Sequence, residues 1–510
     1  MAYLMGIDVG TTGTKTLIID ENGNLITTSF EEYPTYMPYP TWSEQNPEDW
    51  WKATVNTIRD ALTKAGLKGK DIAGIGLSGQ MHGSVFLDKN YKVLRPCILW
   101  NDQRTVKQCE YITQRIGKKR LMEIACNPAL TGFTAGKILW VKEMEPEIYN
   151  QTYKILLPKD YVRFCLTGDF ATEVSDASGT LLLDIKKRKW SKELLSELEI
   201  DEELMPSCYE SPQITGSITR KASQLTGLNP GTPVVGGGGD QAAGAVGNGI
   251  VKKGMISSTI GTSGVVFAFS PEVKIDQEGR VHTFCHAVPE KWHVMGVMLS
   301  AGGSLRWFRD SLGEVEKEEA RKKGVDPYEI LLEKAGKIPP GAEGLLFLPY
   351  LSGERSPYPN PHARGVFFGL NLRHKKEHLI RAVVEGVTFG MKDCLEIIVK
   401  MGISASKVRA SGGGAKSKLW RQIQADIYNL EVETVNVTEG AAFGAALLAG
   451  VGSGVYSTVE EACESTIKVS TSIKPNLKNI KLYEKYYQIY HSLYPALVDH
   501  FDQLSEVVGM

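Results

Sequence analysis

The chain has 510 residues, 42% of them apolar and 23% charged, with a net charge of −1. That balance leaves no electrostatic footprint for nucleic acid or an anionic membrane surface, and the length predicts more than one domain. Eight cysteines without C-x-x-C pairs or metal-ligand spacing, and no apolar run long enough to cross a bilayer, predict free thiols in a cytoplasmic protein.

The first stretch with readable chemistry is IDVGTTGTK, Ile7 to Lys15. Met5, Ile7 and Val9 alternate along a strand, Asp8 falls on its other side, Gly10 to Gly13 turn the chain, and Thr16 to Ile19 run back. Glycines at Gly10 and Gly13 let amides approach an anion, Thr11, Thr12 and Thr14 add hydroxyls, and Lys15 adds a point charge. An acid beside phosphates implies a cation, which makes Asp8 a candidate to hold Mg²⁺ through oxygen or water. The competing reading is an ordinary Gly/Thr hairpin. Its G-x-x-G-x-K spacing does not fit a Walker loop.

Asn22-Gly23 marks a turn before a third strand at Leu25 to Thr27, and Asn46 caps a helix with Pro47 in its first turn. Trp51, Val55, Ile58 and Leu62 are its predicted buried stripe, and Gly66 ends it. Ile72 to Leu77 is a buried strand leading into SGQMHG, followed by a strand at Val85 to Leu87. The embedded GIGLSG matches a dinucleotide fingerprint, yet no helix follows it. On this corner Gln80, Met81 and His82 offer an amide, an apolar edge and an imidazole to a small polyol. The alternative for His82 is a hydrogen-bonded core histidine. In PCILWNDQR, Trp100 and Asp102 suit a sugar, by stacking and by charge-assisted acceptance, or else Asp102 belongs to a surface salt bridge.

Ser175 to Asp184 and Lys186 to Pro206 carry no chemistry that the sequence reveals. Val234 and Val235 then lead into four glycines, Gly236 to Gly239, and Asp240 opens a small-residue helix. Asp240 is a candidate general base for a substrate hydroxyl; the competing role is a plain helix cap, which does not explain the glycines. SSTIGTSGVVFAF repeats the first hairpin, with its turn at Gly261 to Gly264 and its return strand at Val265 to Phe269. Two such hairpins about half the chain apart predict a duplicated domain holding one nucleotide between its halves.

His282 and His286 sit on a predicted strand, which disfavours a metal site. Ser300 to Asp310 reads as a turn and helix, and Leu346 to Tyr350 as a strand running into the proline-rich loop LSGERSPYPNP. A helix from about Lys376 to Met401 carries Leu379, Val383, Val387, Met391, Cys394 and Ile398 on one side. After a short strand at Val408 to Ala410, SGGGAKS (Ser411 to Ser417) opens a helix whose N-terminus suits an adenosine and its first phosphate. Gly440 to Gly450 is a small-residue helix, and the charged tail from Lys474 ends in another.

GFTAGKILWVKE (Gly132 to Glu143) and GVFFGLNLRHKKEHLIRAVVE (Gly365 to Glu385) resemble the two signatures of the FGGY carbohydrate kinase family. The resemblance runs over nearly the whole chain. It implies an α/β fold of two actin-like, ribonuclease-H-like lobes, residues 1–237 and 238–510, with an ATP/sugar cleft between them and the final helix packing back on the first lobe. SGQMHG with ILWNDQR is similar to the members that phosphorylate D-xylulose rather than glycerol. By position, Asp240 matches the family's catalytic base and Asp8 its Mg²⁺-organising acid; Met81, His82 and Asp240 match the ketose pocket. Gly10, Thr11, Thr12, Lys15, Gly261 and Thr262 match the phosphate side, and Gly413, Gly414 and Lys416 the adenosine side. Gln241 stands where many D-xylulose-specific members have Asn, as it does in glycerol kinases. The implied reaction is transfer of the γ-phosphoryl of MgATP to the terminal hydroxyl of D-xylulose. The alternatives are a kinase for ribulose or glycerol, or an actin- or Hsp70-like ATP switch. The expected partner is a small sugar, with no nucleic acid or membrane, and a homodimer is compatible with the sequence.

Overall fold

The two glycine hairpins seed two sheets of matching order in the computed structural model, which describes residues 2–508. In the first half, β1 (Tyr3–Val9), β2 (Gly13–Asp20) and β3 (Leu25–Glu32) form an antiparallel meander. After helix α1 (Pro47–Ala65), β4 (Ile72–Gly79) joins β1 in parallel. Strands β5 (Ile214–Ser217) and β6 (Pro233–Val235) extend the sheet to the order β5-β6-β4-β1-β2-β3, and the short β7 (Gly238–Gly239) pairs with the end of β4.

Helix α2 (Asp240–Gly247) introduces the second half. Its strands are β8 (Gly254–Ile260), β9 (Gly264–Ser270), β10 (His282–Cys285) and β11 (Trp292–Met298), then β12 (Ala405–Gly412), β13 (Glu431–Val435) and β14 (Val469–Ile473). Between and after them run α3 (Gly302–Leu312), α4 (Lys376–Lys400), α5 (Lys418–Tyr428), α6 (Gly440–Gly452) and α7 (Leu477–Val507). The order is β10-β11-β9-β8-β12-β13-β14. In both sheets the first hairpin strand has its antiparallel return on one side and a parallel crossover strand on the other, and the last strand turns antiparallel. The predicted duplication is therefore a duplication of topology.

Helix α1 has the predicted ends: the Asn46 side chain accepts from the Glu48 amide, and Gly66 closes it at φ 65°. Its buried stripe is rotated from the expected one, with Trp50, Ala53, Thr54, Thr57, Ile58 and Leu62 inside and Trp51 and Val55 half-buried. Polar contacts set that rotation. Thr57 shares a 2.8 Å hydroxyl pair with Thr16 of β2, and the Trp50 indole N–H donates to Gln45.

Helix α1 covers the face of the first sheet that carries Met5, Ile7 and Ile18. The other face, with Leu4, Leu17 and Ile19, is covered by Ala442, Phe443, Ala446 and Leu447 of α6. Contacts thus cross the 237/238 divide. Helix α6 lies so close that a Cβ on Gly6 would stand 1.9 Å from the Ala442 carbonyl oxygen, and one on Gly444 1.8 Å from that of Ala243 in α2.

The final helix does not return to the first lobe. Tyr483, Tyr487, Tyr490, Leu493 and Phe501 of α7 join the core of the second half, against α4. The cause lies in α4, which is buried on nearly every side and carries two carboxylates there. Tyr483 donates to Glu385 at 2.6 Å and Tyr487 to Asp393 at 2.7 Å.

Candidate functional site

Strand register brings the two candidate acids together. Asp8 lies opposite Lys15 on β2 and Ser78 on β4, and Gly238 of β7 also pairs with Ser78. Asp240, two residues past Gly238, therefore starts α2 beside Asp8 at the carboxyl ends of parallel strands, where open α/β sheets bind ligands. The glycine run makes this approach sterically feasible: Gly237 has φ 77°, and a Cβ there would lie 1.9 Å from the Leu77 carbonyl oxygen. Burial raises the Asp8 carboxyl above its ordinary range, opposed by the Ser78 hydroxyl and the Lys15 charge, and its Oδ1 is buried with no hydrogen-bond partner. Burial, and then the charge of Asp8, push Asp240 up to about 7, against hydrogen bonds from Gln241. Behind Asp240, the Gly239 amide donates to Ser175 Oγ at 3.1 Å, and that hydroxyl donates to the buried Glu173 carboxylate at 2.8 Å.

The SGQMHG corner faces the same point. Met81 packs on Gly239, where a Cβ would meet its sulfur at 3.0 Å. His82 sits at φ 72° with its Nδ1–H donating to the Gly179 carbonyl at 2.7 Å. Burial lowers its pKa to about 3, so the ring is neutral and Nε2 presents a lone pair. Its ring lies 5.0 Å from that of Phe133, and its carbonyl is held by Lys137 at 2.9 Å and Thr134 at 3.1 Å.

The first hairpin is braced by side chains. The Thr11 hydroxyl donates to Gln80 at 3.2 Å and accepts from the Trp100 indole at 3.0 Å, while Gln45 donates to the Thr11 carbonyl at 2.7 Å. In the second half, the second hairpin opens onto a cavity of about 790 Å³ that Gly261, Thr262, Gly413, Gly414 and Lys416 line together. Leu305, Tyr328, Leu332 and Trp420 supply apolar walls suited to a base. Ser417 caps α5 at the floor of this cavity.

Models of the FGGY family of carbohydrate kinases match residues 3–247 (N-terminal domain) and 256–453 (C-terminal domain). The chain belongs to the FGGY family. It is 42% identical to the xylulose kinase of Escherichia coli K12, over 84% of this chain and 85% of that one. It is 41% identical to the xylulose kinase of Bacillus subtilis 168, over 87% of each. A ligand-bound xylulose kinase from Lactobacillus acidophilus superposes with a TM-score of 0.92, at 27% identity, over 99% of this chain and 100% of that one. The protein is thus an ATP-dependent sugar kinase with the two-lobed, actin-like fold.

Within this FGGY kinase the sequence-derived residues separate into groups. Asp8, Asp240, Gln241, Met81 and His82 converge on one corner, with Gly10, Thr11 and the exposed Thr12 in the hairpin beside it. Lys15 reaches the same face, yet its Nζ is 2.6 Å from Glu439, just ahead of α6. Asp102 is not available to a sugar. It is fully buried, accepts a bidentate bond from Arg104 at 2.7 and 2.9 Å and takes the Ser43 amide as well. The Arg104 guanidinium lies 3.6 Å from the Trp42 ring centroid, so the predicted surface pair is a buried clamp. Gln80 is likewise committed: its amide donates to Gln45 and Gly10 and accepts from Thr11, fixing the hairpin instead of facing a ligand. Sequence reasoning missed Gln45, Ser175, Glu439 and the Tyr328 wall, whose roles exist only through contacts distant in the chain. Among the described residues no helix is long and apolar enough to cross a membrane, and all eight cysteines are free.

Proposed function

We propose that the protein transfers the γ-phosphoryl of ATP to the terminal hydroxyl of D-xylulose, giving D-xylulose 5-phosphate and ADP in the cytoplasm. The observation that carries this reading is the acid pair, with Asp240 held near neutrality beside Asp8 and next to the Met81–His82 corner. A carboxylate poised near pH 7 is suited to take a hydroxyl proton as that oxygen attacks phosphorus. Asp240 acts as the base, the Ser175 hydroxyl fixes its backbone through Gly239, and neutral His82 accepts a sugar hydroxyl at Nε2. The Thr12 hydroxyl and the backbone amides after Gly10, those of Thr11 and Thr12 among them, cradle the phosphoryl group as it passes to the sugar oxygen, while Gly413, Gly414 and Lys416 hold the adenosine side.

The site fits Mg²⁺. Asp8 offers a hard oxygen with no protein partner, and among the described residues no third acid, His or Cys completes a protein-only cage. Asp8 would thus hold a mostly hydrated ion, which neutralises phosphate charge when bound.

The test is the initial rate of ADP release from MgATP alone and with D-xylulose, D-ribulose or glycerol. Strong stimulation by D-xylulose supports the assignment. Stimulation by another polyol alone replaces the substrate and makes Gln241 the first residue to exchange. ATP turnover that none of these polyols alters would remove all three as substrates and with them the D-xylulose assignment.

A further inference from the structure

The loop LSGERSPYPNP carries an arginine that the chemistry above does not use. Arg355 follows Glu354, whose carboxyl accepts the Leu299 amide at 2.8 Å and the Arg355 amide at 2.7 Å, fixing the loop to the end of β11. Burial pushes Glu354 up to about 8, so it supplies no full counter-charge at neutral pH. Among the described residues no carboxylate lies within salt-bridge distance of Arg355, and burial alone lowers its guanidinium to about 10.

Its orientation is nonetheless tightly specified. Asn127 donates through its amide nitrogen to the carbonyls of Ala125 and Thr283, which leaves its Oδ1 as an acceptor for the Nδ1–H of His282 at 3.0 Å. That tautomer leaves Nε2 of His282 to accept from Arg355 Nε at 2.9 Å. One donor of the guanidinium is therefore spent on aiming it. Among the described residues the Nη1 and Nη2 donors have no protein acceptor. The group lies 5.9 Å from the centroid of Phe133, the ring that packs on His82, and its charge is felt by both His82 and His282. A cation from the second half is thus held against the sugar corner of the first, with a row of donors unspent.

The acceptor's chemistry says what those donors meet. In a 2-ketopentose the furanose ring is closed by the C5 oxygen, so a C5 hydroxyl able to attack phosphorus exists only in the open chain. The open chain carries a planar C2 carbonyl beside the C1 hydroxyl, at the end remote from the reacting oxygen. We propose that Arg355 donates through its Nη groups to this carbonyl end, selecting open-chain ketoses over the corresponding alditols while Asp240 works at the other end. A planar guanidinium fork suits two adjacent acceptors, and hydrogen bonds to a charged donor are roughly twice as strong as neutral ones.

This inference rests on the D-xylulose reading, and its test separates the two. Wild type, Arg355→Met and Arg355→Lys are assayed with D-xylulose and with xylitol, and each is titrated with an ATP analogue. Arg355→Met should raise the KM for D-xylulose about 10- to 100-fold with kcat changed less than about threefold, the loss expected for hydrogen bonds to a charged group. The preference for D-xylulose over xylitol should fall about tenfold, with part of it restored in Arg355→Lys. An unchanged nucleotide affinity certifies the fold. If Arg355→Met does not fold, Arg355→Lys carries the test, because one ammonium cannot reproduce the fork. A wild type that ignores D-xylulose removes the substrate reading. A wild type that turns it over, with both variants keeping its KM and its ketose preference, removes Arg355 alone.

Discussion

The two hairpins have the same topology and are held by different means. Around Thr11 side chains carry much of the bracing: Gln45, Gln80 and Trp100 reach it from three separate segments, beside the Tyr33 amide on the Thr12 carbonyl at 3.2 Å. Around Thr262 the bracing is backbone. The carbonyl of Gly261 accepts the Gly302 amide at 2.8 Å, and that of Thr262 accepts those of Ala301 and Gly303 at 2.9 and 3.0 Å. A side-chain brace fails when one polar group is removed, whereas a backbone brace fails only when bulk is forced in. Polar truncations should therefore damage the sugar and phosphate side, and added volume should damage the nucleotide side.

The largest expected effect falls on the first side. Asp240→Asn should lose about 10²- to 10⁴-fold in kcat while still binding nucleotide, as measured by steady-state kinetics beside titration with an ATP analogue. Bulk on the second side comes next. Gly414→Val puts a Cβ 2.7 Å from that of Ile260, and an overpacking cost of about 1–3 kcal/mol should raise the KM for ATP about 10- to 100-fold with little change in that for sugar. The pH dependence sharpens the contrast. In the proposed mechanism only deprotonated Asp240 accepts the hydroxyl proton, and burial with the Asp8 charge pushes its pKa up to about 7. Hence kcat/KM for sugar should fall about tenfold per unit as pH drops below 7, while nucleotide affinity does not follow that limb. Removing the brace with Gln45→Ala should cost about tenfold in kcat/KM, the worth of one to two hydrogen bonds, whereas Ser263→Ala should cost nothing measurable. The smallest kinetic effect is expected at Asp102. Asp102→Asn should leave the sugar KM unchanged and lower stability by roughly 3 kcal/mol, read by denaturant unfolding, because it weakens a buried ion pair.

Much of this division was legible in the sequence, and the rest was hidden for identifiable reasons. The hairpins, the glycine run and Asp240 are local signals, in which the residues that form the turn are also those to which the proposed function assigns the chemistry. So are the caps of α1. For Asp102 the sequence leaves a sugar contact and a salt bridge open; the structure has the ion pair with Arg104, and its burial is not legible because its partners include Trp42 and Ser43, some sixty positions earlier. Gln80 is ambiguous for a related reason: an amide on a glycine corner looks the same whether it faces a sugar or props a neighbouring turn. The rotation of α1 followed a threonine pair that apolar periodicity ignores. The destination of α7 depended on two buried carboxylates in α4 that needed donors.

The closeness of α6 to its neighbours has a mechanical consequence. Where Gly444 meets Ala243 and Gly247 meets Gly440, two helix backbones touch with no side chains interleaved between them. Helix α6 packs on the first sheet through Ala442, Phe443 and Ala446 and on α2 through this seam, so it ties α2 to that sheet. A single methyl at Gly444 would stand 1.8 Å from the Ala243 carbonyl oxygen and drive the two helices apart.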